Sequence, residues 1–214
     1  RDLTLCGETG ARYHAAHVST ADSVALVREA KAKGLPVTAA VTVHHLALTH
    51  EALRDYDPNT KCNPPLRTEN DRQACLVGLT DGTIDAIVTD HSPHTENDKA
   101  VEFEDAPFGV IGLETAVPVL LGLVAKGELA LSTVVRALTR GPARCFGLPG
   151  GRLEAGAPAD LTLIDPEMSW TVQPEHFQSK SHNTPFAGWQ VKGRAVTTLV
   201  GGREVYAWPE GVVA

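Results

Sequence analysis

The sequence predicts an α/β protein in which βα units are followed by a small antiparallel β module. Three observations carry this reading. From Tyr13 to Thr139, short apolar runs alternate with longer amphipathic stretches, the pattern of strands feeding helices. Glycine and proline then cluster in "GLPGGRLEAGAPADLTLID", where the helical pattern stops, and a boundary is expected near Leu148. Beyond it "ADLTLID", "GWQVKGR" and "AVTTLVGGREVY" alternate like antiparallel strands, with Gly201-Gly202 as a hairpin turn.

"YHAAHV" is the first strand candidate. The helix after it lies within "STADSVALVREAKAKG", where Ser19 and Asp22 fit a capping box, Val24, Val27 and Ala30 make an apolar stripe, and Gly34 supplies the stop. A second strand is expected over 36–43, a β-branched run closed by His44-His45, and a third over 83–90, closed by Asp90 and His94. Helices are expected over Leu48–Arg54 and Glu69–Leu79 after the second strand, and over Glu114–Lys126 and Ser132–Thr139 after the third. No repeat at a fixed period and no low-complexity segment interrupts this order.

Composition narrows the function. The chain has 214 residues with a net charge of -7 and no Lys/Arg cluster, which argues against nucleic acid or an anionic membrane surface and leaves a small molecule as the expected partner. No apolar stretch reaches the roughly 20 residues that span a bilayer. Cys6, Cys62, Cys75 and Cys145 form no CxxC pair, so reduced thiols and a cytoplasmic location are expected. The opening "RDLTLCGETG" has no initiating Met and reads as starting in mid-fold.

The most informative stretch is "VTDHSPH" at 88–94, a buried-strand pattern that ends in ionisable groups. Polar residues at the carboxyl ends of parallel strands share one face of the sheet or barrel, and chemistry in such folds is done there. His17 closes the first strand, His44 and His45 the second, and Asp90, His91 and His94 the third. Imidazole together with carboxylate suits a hydrolytic zinc site, although the spacing is no HExxH signature.

The strings "AAHVST", "HHL", "NPPLR", "TDHSPH" and "APFGVIGLET", in this order, resemble the carboxyl-terminal half of bacterial type I dihydroorotases, cyclic amidohydrolases of the amidohydrolase superfamily. "GRLEAGAPADLTLID" and "SHNTPFAGWQVKGRAVTTLVGGREVY" look like the β module of the same enzymes, one shared with hydantoinases and allantoinases. The resemblance implies the last three βα units of a (β/α)8 TIM-type barrel over residues 1–148 and a C-terminal β module over 149–214. By the same match, His17 is a metal ligand after strand six, and Asp90 is a metal ligand and the general base after strand eight. Asn63, His94 and the backbone at Phe108-Gly109 are implied to contact the substrate, with 94–109 as a mobile loop. His44 and His45 match a pair of the family and are expected to be structural.

The sequence departs from the family in two ways. Ala40 and Val43 stand in "AVTVHHL" where "EVTPHHL" is common. The family's HxH motif, its substrate-binding Arg, the bridging Asp and the fifth-strand His fall upstream of Arg1. The implied reaction is reversible, zinc-dependent opening of the cyclic amide of dihydroorotate to N-carbamoyl-L-aspartate in pyrimidine synthesis, with one or two zinc ions in a complete site. Implied partners are the upstream half of the same enzyme and either a second copy or aspartate carbamoyltransferase. The competing readings are a hydantoinase- or allantoinase-like enzyme and a non-catalytic subunit that assembles with the carbamoyltransferase. His14, His50, His176 and His182 are expected to be surface or structural residues, and Trp170, Trp189 and Trp208 packing residues.

Overall fold

The computed structural model describes residues 1–209 and 211–212. After helix α1 (Asp2–Thr9), the elements alternate: β1 (Tyr13–Ala15), α2 (Ala21–Ala32), β2 (Val37–Thr42), α3 (Val43–Ala47), α4 (Glu69–Asp81) and β3 (Ala86–Val88). The three strands form one parallel sheet in the order β1-β2-β3, with Tyr13 opposite Val37 and Ala40 opposite Ala86. Parallel strands covered by helices are buried on both faces. Ala39, Ala40 and Val41 accordingly have no exposed surface.

The local signals explain most boundaries. The stripe Val24, Val27 and Ala30 is buried as expected, and Gly34 takes a left-handed φ of 75° just past the end of α2. The cap is not the expected Ser19: Thr20, in extended conformation, accepts the Ser23 N–H at 3.1 Å, while Ser19 is buried one residue earlier. Thr68 and Asp71 form a capping box on α4, and the second carboxylate oxygen of Asp71 accepts the Ala21 N–H at 2.9 Å. One side chain therefore begins two packed helices. Val43, expected at the end of β2, instead opens α3, because the Thr42 hydroxyl accepts the His45 N–H and turns the chain.

Downstream lie α5 (Glu96–Lys99), α6 (Ala116–Ala125), α7 (Leu131–Leu138) and α8 (Arg140–Phe146). After a glycine-rich passage, β4 (Leu161–Thr171), β5 (Gln190–Val200), β6 (Arg203–Ala207) and β7 (Gly211–Val212) make an antiparallel sheet in chain order. Gly201 and Gly202 turn β5 into β6 with φ of 57° and 78°, the left-handed pair that a tight hairpin needs. The two runs expected to meet between Arg194 and Ala195 form one strand. Gly193, with φ of 100°, lies so close to Leu121 of α6 that a Cβ would collide with that side chain. Val172 and Phe186 join Val119, Leu120 and Leu123 of α6 in the cluster that also holds the parallel sheet, so one core links the two sheets.

Candidate active site

His17 follows β1 in a turn held by the Val18 N–H, which donates to Ala40 O at 2.8 Å, and by the Cys75 thiol at 3.7 Å from Val18 O. Asp90 follows β3, and the Ser92 hydroxyl donates to its carbonyl at 3.0 Å. His17 Nε2 and Asp90 Oδ1 face each other at 3.7 Å, with side-chain exposures of 31% and 24% that leave both reachable by a small molecule. Among the described residues, positive φ outside glycine occurs at His17 (54°), Tyr56 (53°) and Asp90 (48°). A left-handed non-glycine residue costs about 1–3 kcal/mol and persists where its surroundings hold it, often because the site needs the aim it gives the side chain. Two of these three residues are the sequence-predicted metal ligands.

His44 and His45 lie at the start of α3, 3% exposed each, with ring centroids 4.7 Å apart. His45 Nε2 is 2.9 Å from Pro64 O and its Nδ1 is 2.6 Å from the Thr42 hydroxyl. The neutral ring thus donates from Nε2 and accepts at Nδ1, and it fixes the strip that follows Asn63. Burial pushes His44 down to about 3, helped by the neighbouring His45 and His17, and burial likewise lowers His45. With Cys62 these rings make a buried trio whose donor atoms lie within 4.8 Å of one another. Both nitrogens of His45 are already engaged, so the trio lacks the three free donors of a metal centre.

The expected substrate-contacting residues are brought together in part. His94 Nε2 lies 2.9 Å from Phe108 O, and the Gly109 N–H donates to Lys61 O at 2.9 Å, which sets the Asn63 strip beside Phe108-Gly109. Gly109 has φ of 124°, and a Cβ there would fall 2.5 Å from Ser92 Cβ. The Gly109 N–H is therefore spent inside the protein. The Asn63 side chain is exposed and Phe108 is 55% exposed, so both face open space.

Sequence reasoning missed three residues. Asn183, 4% exposed, donates from Nδ2 to Ser92 O at 2.9 Å and to Gly109 O at 3.2 Å, and its Oδ1 accepts the His94 N–H at 3.1 Å. It reaches the site from the segment between β4 and β5, and its one visible signal is its place in "SHNTPF". Lys61 and Lys99 reach across the strips beside the site, and no local pattern marks them. The expected mobile loop contains α5, capped by Thr95 and Asp98, and is tied to the rest of the chain by these lysines and Asn183. His14 bonds Thr38 at 2.7 Å and exposed His182 bonds Glu96 at 3.1 Å, in keeping with structural roles. Among the described residues no helix is long and apolar enough to cross a membrane.

Residues 4–205 match the model of the Amidohydrolase family. The chain is 55% identical over 206 residues to the dihydroorotase of Pelotomaculum thermopropionicum, a match covering 96% of this chain and 48% of the relative. It is 53% identical over 215 residues to the dihydroorotase of Halalkalibacterium halodurans, covering 100% of this chain and 50% of the relative. Among solved structures, the L-hydantoinase of Arthrobacter aurescens superposes with a TM-score of 0.93 at 32% identity, covering 99% of this chain and 48% of that one. The dihydropyrimidinase of Brevibacillus agri gives 0.88 at 27%, covering 96% and 47%. The chain spans about half the length of the relatives it matches.

Proposed function

This chain belongs to the amidohydrolase family, and on that premise we propose that it is the carboxyl-terminal half of a dihydroorotase. One observation carries the proposal: His17 and Asp90, from two different strand ends, approach to 3.7 Å with both side chains partly exposed. The identity to dihydroorotases, 53–55%, exceeds the 32% to the L-hydantoinase and favours dihydroorotate over hydantoins as substrate.

In this reading residues 1–148 are the last three βα units of a (β/α)8 barrel and 149–214 are its β module. Among the described residues no further strand pairs with the outer edges of β1 and β3, and Leu163, Ile164 and Val200 of the second sheet are 49%, 42% and 55% exposed. Unpaired edges and exposed apolar residues of this kind call for a covering segment, which the upstream half supplies. Zinc fits the donor set, since one imidazole and one carboxylate are its usual ligands, and the remaining ligands come from the upstream half. When bound, zinc polarises the scissile carbonyl and makes water a stronger acid.

His17 would help hold the ion through its imidazole. Asp90 accepts the proton of the attacking water and returns it to the departing ring nitrogen, so the ureido group leaves uncharged. Asn63 and His94 orient the dihydroorotate carboxylate and ring, a contribution from alignment rather than bond making. The partners in this reading are dihydroorotate and N-carbamoyl-L-aspartate, the upstream half, and a second copy or aspartate carbamoyltransferase.

The test is the substrate preference of the complete polypeptide. With zinc present, kcat/KM for dihydroorotate should exceed that for hydantoin and for dihydrouracil by about a hundredfold or more, because neither analogue offers the carboxylate that Asn63 and His94 orient. Preference for hydantoin would replace this reading with the hydantoinase one, and inertness towards all three would favour the scaffold subunit.

A further inference from the structure

Two buried lysines beside the site have no carboxylate partner. Lys61 and Lys99 are 8% and 7% exposed, and neither enters an ion pair among the described residues. Lys61 Nζ donates to Phe103 O at 2.7 Å and to Glu104 O at 2.8 Å, and it lies 5.3 Å and 4.7 Å from the ring centroids of Phe103 and Phe108. Lys99 Nζ donates to Pro58 O at 3.0 Å and to Pro107 O at 2.8 Å. The ties run in opposite directions: Lys61 reaches from the strip before Asn63 into 103–104, and Lys99 reaches back from α5 to Pro58.

A buried ammonium is costly unless strong acceptors surround it. Burial and the neighbouring charge of Lys61 lower the Lys99 pKa, which reports that cost. An apolar side chain could fill either space, but the irregular backbone at 103, 104 and 107 would then lose donors for carbonyls that no backbone N–H satisfies, whereas Pro58 O would keep the Lys61 N–H at 3.1 Å.

We propose that Lys61 and Lys99 are positioning residues that lock 103–109 against 58–63, so that Asn63 and His94 meet the substrate as one preassembled edge. This deepens the dihydroorotase reading and rests on it. Neither lysine touches the reacting atoms.

The experiment uses the complete zinc-loaded polypeptide and the variants Lys61→Met and Lys99→Met. For each, KM and kcat for dihydroorotate, bound zinc and amide hydrogen exchange are measured. KM should rise tenfold or more, with kcat within threefold, zinc content unchanged and exchange at 58–63 and 103–109 at least tenfold faster. If the Met variants do not fold, Lys61→Arg and Lys99→Arg keep the charge, but a guanidinium cannot take the same seat between two carbonyls, and the same KM rise is expected. Faster exchange with unchanged KM would overturn the positioning role, as would kcat falling in step with lost zinc. Unaltered exchange would overturn the clamp itself. If the wild-type protein does not turn over dihydroorotate, the functional reading fails separately, while the exchange result still decides the clamp.

Discussion

The parallel and antiparallel sheets of this chain solve opposite problems. In the first, Ala39, Ala40 and Val41 are wholly buried, and the strands are three to six residues long with polar residues massed just past their ends. In the second, β4 and β5 run for eleven residues each, yet Leu163 and Ile164 stay 49% and 42% exposed. Short buried strands make a rigid floor on which His17 and Asp90 are aimed through left-handed backbone. Long exposed strands give reach, and the segment between β4 and β5 delivers Asn183 to the site. Chemistry and support thus come from different regions and meet at Ser92, His94 and Gly109.

That contrast can be broken by mutation. The largest effect is expected at Asp90: Asp90→Asn in the complete polypeptide should lower kcat for dihydroorotate about 10²- to 10⁴-fold, because the amide cannot accept a proton. The far-ultraviolet circular dichroism spectrum should stay unchanged, and near-normal turnover would remove Asp90 as general base. Next, in the 214-residue chain alone, Val41→Ala, at a β2 side chain with no exposed surface, should cost about 1–3 kcal/mol in urea unfolding, whereas Leu163→Ala should cost about 0.5 kcal/mol or less. Equal costs at the two positions would erase the distinction between floor and outer sheet.

Acid sharpens the same point. The unfolded chain protonates His44 near pH 6.5, whereas the folded chain refuses the proton until about 3. Stability is therefore untouched above pH 6.5 and falls as pH drops towards 3, by about 1.4 kcal/mol per pH unit from this group. Urea midpoints at pH 7, 6 and 5 measure it, and His44→Phe should flatten the slope over that range. The smallest change is expected from Asn63→Ala, with a KM rise of about tenfold and little change in kcat, since alignment is lost and the proton path is kept. Steady-state kinetics with both parameters unmoved would take Asn63 out of the site.

Legibility in the sequence followed the same divide. His17 and Asp90 stood out because apolar runs that suit buried strands ended in ionisable residues, and the hairpin at Gly201-Gly202 carried its own turn chemistry. The left-handed backbone at 17 and 90 was not visible, since neither position is a glycine. Helix α3 was hidden because Thr42 and Val43 continue a β-branched run, and only the Thr42 hydroxyl capping His45 reveals the turn. Helix α8 was masked by Gly141-Pro142, which the helix tolerates near its start. Lys61, Lys99 and Asn183 escaped because their partners are brought close by the tertiary fold: Asn183 lies 91 residues from Ser92 and Lys61 lies 42 from Phe103.

In the proposed dihydroorotase, His17 and Asp90 form half of a zinc centre completed by the upstream strands. Native mass spectrometry in the presence of zinc, paired with a dihydroorotate hydrolysis assay, tests it on the 214-residue chain alone and again with the upstream half added. No stoichiometric zinc and no turnover are expected for the chain alone, and both should be gained on reconstitution, because two donors do not fill a four-coordinate site. A monodisperse 22.7 kDa species carrying stoichiometric zinc and hydrolysing dihydroorotate by itself would contradict it.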